Sequence, residues 1–475
     1  MEVRVTERRP TRLLMAVVAL VFVGHGVCVS AQDAAPAQKP APWTVLIYAA
    51  VDNDWERPFM RDVRGMRKGL ERVKGMEVIL LVDRSPRYSR DKRALGEDFA
   101  GTRLYRLTGG GAERLGGGQW FPGIRRDADG ELNTGNARTL RDFVRFGKAR
   151  YPAIRTALFL VSHGEGMSFC PDETDDDDQM FTAELTDELG PAESVDVLGF
   201  DACLMGGAEN AYQWRPGPGR FGADYFVASA PVSSSWPYAD IFSALGSRFG
   251  PKPPKPAELS RLIIDELNKQ IRSGRSGDRG LERDLQAWGA FDLKHAAKLK
   301  EAVDGLAVGL WKEGEKQDTV ALRGSGLKAK TFVYVWPERG ADADMPHVDV
   351  RHLAERIAKS ASFSKQVRRL ASQVADAADA MVLHSVGFDH YKGFKGGQHG
   401  LYFVFPDGDK KDRRGRTYWQ KIPWYDARKH GRDDDSYGAY AWCSDGSVAG
   451  NGKVETWFEL MDAWFDVGDS NDYAW

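Results

Sequence analysis

Two short segments of this chain carry residue types suited to covalent hydrolysis: His163-Gly164 and Asp201-Ala202-Cys203. Each follows an apolar run, ALFLVS before the histidine and VDVLGF before the aspartate. A cysteine thiolate can attack a carbonyl carbon, and an imidazole can protonate the leaving amine and later activate water. A free thiol is only a few per cent ionised near neutral pH, so the cysteine needs assistance. The sequence predicts a helix over Leu204 to Gln213, whose positive end and unpaired N–H groups would favour the thiolate. Gly164 has no side chain, so its N–H can approach a substrate carbonyl. With the N–H of Cys203 it forms a candidate oxyanion hole, in which one donor typically contributes roughly 2.7–4 kcal/mol.

Taken singly, these residues have plainer readings. Cys203 is a small hydrophobe, Asp201 a helix N-cap and Gly164 a turn residue. Coincidence gives them weight, because both segments end strands of successive strand–helix units. Of nine histidines, only His163 directly follows an apolar strand-like run.

The elements that must position them are readable as alternating patterns. Trp43 to Val51, Met76 to Val82, Thr102 to Leu107, Ala157 to Ser162, Val195 to Phe200 and Tyr225 to Ser229 read as strands. Trp55 to Val73, Asn136 to Arg150 and Phe181 to Leu189 read as helices. Such alternation predicts a parallel sheet covered on both faces, with right-handed crossovers and a site beyond the carboxyl ends of the strands. Gly250 to Pro256 reads as a connector. Beyond it, helices are expected over Ala257 to Gln270 and Phe363 to Leu383, and a strand over Gly400 to Phe405.

The whole chain has 475 residues, enough for a catalytic unit at 43–250 and a further α/β lobe at 251–475. A net charge of -2 argues against nucleic acid as a partner and leaves protein or peptide substrates. Arg4, Arg8, Arg9 and Arg12 precede the apolar run Leu13 to Val23, and Val29-Ser30-Ala31 offers small residues for cleavage. Residues 1–31 therefore read as a signal peptide and 32–42 as a linker, giving a secreted, periplasmic or cell-surface protein with no stable membrane span after signal removal. Of four cysteines, cleavage removes Cys28; one economical arrangement then leaves Cys203 free and pairs Cys170 with Cys443.

The His163-Gly164 and Asp201-Ala202-Cys203-Leu204-Met205 segments resemble those of the clostripain family of cysteine peptidases, within the caspase-like fold group. Trp43 to Glu56, Asn133 to Tyr151, Trp236-Pro237-Tyr238, His347 to Ala354 and Gly400 to Pro406 extend the likeness. The resemblance implies a caspase-like three-layer αβα sandwich with a mostly parallel central sheet and a C-terminal α/β lobe. It implies a His163/Cys203 dyad without an obligatory third member, and Asp201 lining the pocket for the residue before the scissile bond. An acidic wall selects Arg or Lys there. Ser229-Ala230-Pro231-Val232-Ser233 stands where relatives are often acidic, which leaves room for non-basic specificity or a transpeptidase of the same fold; a non-catalytic exported binding protein is the other alternative, against which intact His163, Gly164 and Cys203 argue. Relatives that cut themselves do so after a basic residue between histidine and cysteine. Gly164 to Ala202 contains none, and Arg272 to Arg283 is the alternative exposed segment.

The chemistry needs no cofactor. The acidic run Asp172 to Asp178 nevertheless offers hard oxygen ligands that suit calcium, with Asp172, Asp175 and Asp177 as candidates and a solvated loop as the plain alternative. Glu165 could orient His163. Zinc motifs and a Gly-x-Ser-x-Gly elbow are absent from the sequence.

Overall fold

A computed structural model describes residues 40–128, 130–274, 285–324, 330–334, 346–388, 390–406, 437–448 and 450–465. The expected signal peptide, most of the expected linker and residues 275–284 of the Arg-rich segment lie outside the described residues.

The first half of the chain runs β1 (Ala41–Val51), α1 (Glu56–Leu70), β2 (Met76–Arg84), β3 (Gly101–Thr108), β4 (Gly111–Leu115), α2 (Ala137–Arg150) and β5 (Ala153–Val161). A hairpin, β6 (Ser168–Asp172) and β7 (Asp178–Phe181), leads into α3 (Thr182–Glu188), β8 (Val195–Asp201), α4 (Ala208–Gln213), β9 (Ala223–Ser229), α5 (Tyr238–Phe249) and α6 (Pro256–Arg272). The remainder contributes β10 (Ala287–Asp292), α7 (Ala296–Glu313), α8 (Lys316–Arg323), β11 (His347–Asp349), α9 (Val350–Lys359), α10 (Lys365–Met381), β12 (Val382–Gly387), β13 (Tyr402–Val404), α11 (Ala441–Ser444) and α12 (Trp457–Phe465).

Nine strands form one sheet in the order β12-β10-β9-β8-β5-β1-β2-β3-β4. The central run β9-β8-β5-β1-β2 is parallel, and antiparallel strands extend it on both sides. Period-two alternation divides β1 between two cores. Leu46, Tyr48 and Ala50 face one, while Val45, Ile47, Ala49 and Val51 face the other. Both faces are covered, which is why the parallel strands read as continuous apolar runs. The architecture is the expected caspase-like αβα sandwich.

Three strands of the nine-stranded sheet escape the sequence reading. β4 is short, polar and at the sheet edge. β10 (AWGAFD) and β12 (VLHSVG) carry Gly, Asp, His and Ser among their apolar residues, so neither has a clean period. Both belong to the chain beyond Pro251 and add to the central sheet. The segment Phe363 to Leu383 divides into α10 and the start of β12, because the chain turns extended at Val382.

β1 pairs with β2 on one side and β5 on the other. The connections therefore diverge at the β1/β5 boundary, and such a switch point opens a crevice beyond the carboxyl ends of the strands.

Candidate active site

The register fixes which residues meet at that edge. Ala49 of β1 pairs with Val161 of β5, and Val161 pairs with Asp201 of β8. His163 and Cys203 each lie two residues beyond this row, on adjacent parallel strands. Their loops touch. A Cβ built on Gly164 would sit 2.6 Å from the Cys203 carbonyl oxygen and 3.1 Å from the Ala202 Cβ. Glycine is required at 164 for this close approach, beyond any turn geometry.

Gly164 also bridges Phe169 of the β6/β7 hairpin, with the flanking bonds Cys170 N–H to His163 O (3.2 Å) and Glu165 N–H to Ser168 O (2.9 Å). This is the non-hydrogen-bonded position of an antiparallel pair, so the Gly164 N–H points away from the hairpin. That orientation suits an oxyanion donor.

His163 is partly exposed, and its Nε2 lies 2.6 Å from Asp54 Oδ1. Hydrogen bonding from His163 holds the Asp54 carboxyl below its ordinary range, against the opposing effect of partial burial. The Trp55 ring is 5.8 Å from the imidazole. Asp54 is the functional neighbour the sequence reading missed; the only signal was its place in the acidic turn after β1. Glu165, read from the sequence as able to orient His163 or contact substrate, is exposed.

Cys203 is partly buried. The Ser233 backbone N–H donates to its sulfur at 3.4 Å, and the Ser233 hydroxyl lies 3.9 Å away. The helix expected at Leu204 begins at Ala208, five residues past the cysteine. Leu204 adopts a positive φ of 62° and its N–H bonds to Pro231 O, so the chain turns before helical hydrogen bonding can start. The Ser233 N–H, not a helix end, is the backbone donor that meets this sulfur.

Asp201 departs from expectation in two ways. It caps no helix, and its side chain is 1% exposed, with Oδ1 accepting the Trp236 N–H at 3.0 Å. Burial, reinforced by Asp62, pushes its carboxyl well above the usual range. The carboxyl thus lies beneath the Trp236 backbone instead of lining an open pocket.

The cysteine pairing is also corrected. Cys170 and Cys443 are both free and buried, and burial raises both thiols far above the usual range. They serve as packed side chains in the core.

The acidic run behaves differently from a solvated loop. Asp172 turns inward, and its carboxylate accepts the N–H and hydroxyl of Thr134 at 2.8 and 2.9 Å. One oxygen each from Asp52, Asp83 and Asp172 lie within 4.8 Å of one another, and the same holds for Glu131, Asp172 and Asp175. Asp177 sits at the exposed hairpin tip with φ 57° and joins neither group. Asp52, Asp83 and Glu131 are distant in sequence, so only the fold reveals them. Burial first, then neighbouring carboxylates, raises Glu131 to about 7 and lifts Asp83 and Asp175.

Comparison with known proteins agrees with this geometry. The model of the clostripain family matches residues 47–464. Clostripain of Hathewaya histolytica is 35% identical over 480 residues, spanning 91% of this chain and 89% of its own length. Among solved structures, a secreted C11 cysteine protease from Bacteroides thetaiotaomicron, in complex with an irreversible peptide inhibitor, is similar with a TM-score of 0.52 and 16% identity. That match covers 80% of this chain and 95% of that one. An inactive zymogen C11 protease from Parabacteroides distasonis is similar with a TM-score of 0.51 and 16% identity, covering 78% and 93%.

Proposed function

The chain belongs to the clostripain family of cysteine peptidases, and from that premise we propose that it hydrolyses peptide bonds through a Cys203/His163 dyad, with Arg or Lys before the scissile bond. The observation that supports this most is the shared edge: two adjacent parallel strands end in a thiol and an imidazole, with their loops in contact at Gly164. In this mechanism the Cys203 thiolate, favoured by the Ser233 N–H, attacks the carbonyl carbon. The N–H groups of Gly164 and Cys203 receive the developing oxyanion. His163 donates a proton to the leaving amine, and then removes one from the water that releases the acyl group.

The preference for a basic residue rests on the likeness to the clostripain family; Asp201, closed beneath the Trp236 backbone and beside the Tyr238 hydroxyl, lends it no support. A second reading, non-basic specificity, is favoured by the burial of Asp201 and by the absence of carboxylates from Ser229 to Ser233. A fluorogenic panel varying that residue, run beside Cys203→Ala, separates the two. Best turnover of Arg or Lys peptides and none by the variant is expected. A non-basic optimum overturns the specificity, and hydrolysis by Cys203→Ala overturns the nucleophile.

Calcium fits the carboxylate groups. Asp52 Oδ1 is buried without a partner, and the oxygens of Asp83, Asp172, Glu131 and Asp175 converge around it or beside it. Hard oxygen donors of this number suit calcium. The bound ion would offset carboxylate repulsion and stiffen the hairpin that holds His163 O; it takes no part in bond making. Chelation should lower both activity and Tm in the wild type, and leave Asp172→Asn unaffected by added calcium. Equal response of both proteins would remove the site.

Export is part of the same proposal. The charged start and apolar run at Leu13 to Val23 support it. Among the described residues no helix is long and apolar enough to cross a membrane.

A further inference from the structure

The third strand end at this edge has been given no part in the reaction. β1, β5 and β8 are consecutive neighbours in the sheet, so their loops present Asp54, His163 and Cys203 in that spatial order. We propose that Asp54 is a positioning residue: it holds the Nε2 proton of His163 and so assigns Nδ1 as the nitrogen that exchanges a proton with Cys203. The inference rests on the Cys203/His163 reading above.

Three observations carry it. The contact is short, 2.6 Å between Nε2 and Oδ1, and an ionised carboxylate can only accept, so the imidazole proton resides on Nε2. The turn bearing Asp54 is itself fixed to the histidine loop. Asn53 Nδ2 reaches Ser162 Oγ at 3.3 Å, Pro171 O at 3.0 Å and Ala50 O at 3.2 Å, while Asn53 Oδ1 accepts the Trp55 N–H at 3.0 Å. The Asp52 carbonyl accepts the Glu173 N–H at 3.1 Å. Finally, the Asp54 side chain is 69% exposed and serves no core, so packing does not explain its placement.

The proton balance is simple. Cys203 gives its thiol proton to Nδ1, leaving a thiolate and an imidazolium whose Nε2–H stays on Asp54. The sulfur–carbon bond forms, the amide C–N bond breaks, and the Nδ1 proton passes to the leaving nitrogen. A carboxylate at Nε2 stabilises the imidazolium and prevents the ring from rotating.

The test measures kcat and KM on one peptide amide for wild type, Asp54→Asn and Asp54→Ala, with Cys203→Ala and His163→Ala as references. Rates are expressed per site titrated with an irreversible thiol-directed peptide inhibitor. We expect kcat to fall roughly 10–100-fold for Ala, as for removal of other orienting partners, with KM nearly constant. Asn, which keeps an acceptor without the charge, should recover part of the loss. The rate of Cys203 alkylation by iodoacetamide should fall in the same order, and Tm should hardly move. A raised KM at constant kcat would make Asp54 a substrate contact, and unchanged kinetics would give it no role. Loss of titratable sites together with Tm would make it structural. Each of these overturns the inference. Failure of the underlying dyad appears separately, as activity surviving in Cys203→Ala or His163→Ala.

Discussion

At the sheet edge His163, Cys203 and Asp54 remain partly open to solvent, whereas directly beneath their loops lies a polar interior that is closed. There Asn210 donates to Gly166 O at 2.7 Å and to Met205 O at 3.0 Å, and accepts from the Thr182 and Tyr440 hydroxyls. The Tyr402 hydroxyl donates to Leu204 O. Glu209 Oε1 accepts the Val404 N–H at 2.7 Å and the Tyr437 hydroxyl at 2.8 Å. These side chains hold, from below, the two loops that carry the reactive groups. The contrast assigns work to the C-terminal part of the chain, which supplies Tyr402, Val404, Tyr437 and Tyr440. Among its described residues it offers no reactive group at the edge, yet its hydroxyls and N–H groups fix the backbone of the two loops. Open groups can bind and react; buried and paired ones can only position.

The sharpest way to break this division is at the edge itself. Cys203→Ala should lose about 10⁴-fold or more in kcat with an unchanged Tm, as steady-state kinetics and thermal melts will show. Gly164→Ala should come next. Its new Cβ must displace the Cys203 carbonyl, and with it an oxyanion donor, so kcat should fall roughly 10²–10³-fold. Below the edge, Tyr402→Phe leaves Leu204 O buried without its donor. That should cost about 1–3 kcal/mol of stability in denaturant unfolding, with a smaller loss of activity than Gly164→Ala.

An effect confined to stability and dependent on pH is expected at Glu209. Burial raises its carboxyl to about 7, and Oε2 has no partner. The folded state therefore holds this proton more tightly than the unfolded chain. The wild type loses stability as pH rises from the unfolded value, roughly 4.3, towards 7. Glu209→Gln cannot ionise and should escape that loss. Its unfolding free energy should gain on the order of 1–3 kcal/mol relative to wild type between pH 5 and 8. A difference independent of pH would show that Glu209 is not the titrating group.

The same division explains what was legible in the sequence. The parallel strands are buried on both faces, so VDVLGF and ALFLVS stand out as apolar runs, and the residues just after them are marked as edge residues. His163, Gly164 and Cys203 followed from that logic. Asp54 did not, because an aspartate in a turn is most simply turn chemistry and its partner is 109 positions away. Asp201 was misjudged because strand-end position does not tell whether Trp236 folds over it. In the acidic run, Asp172 and Asp175 come together with other carboxylates and Asp177 stands apart at the hairpin tip. Local spacing cannot show that the chain reverses at the hairpin tip, or that Asp52, Asp83 and Glu131 arrive from elsewhere. β10 and β12 were invisible for a related reason: their places in the sheet are set by long-range pairing, β10 with β9 and β12 with β10, not by any period of their own.

That one edge carries a single catalytic unit is tested most directly by a double-mutant cycle on Cys203 and His163. Peptide hydrolysis is measured for wild type, Cys203→Ala, His163→Ala and the double variant. If the thiol and imidazole act together, each single change removes nearly all of the catalysis and the double variant is scarcely slower than either. If the two losses multiply, the groups act independently and the shared site is contradicted.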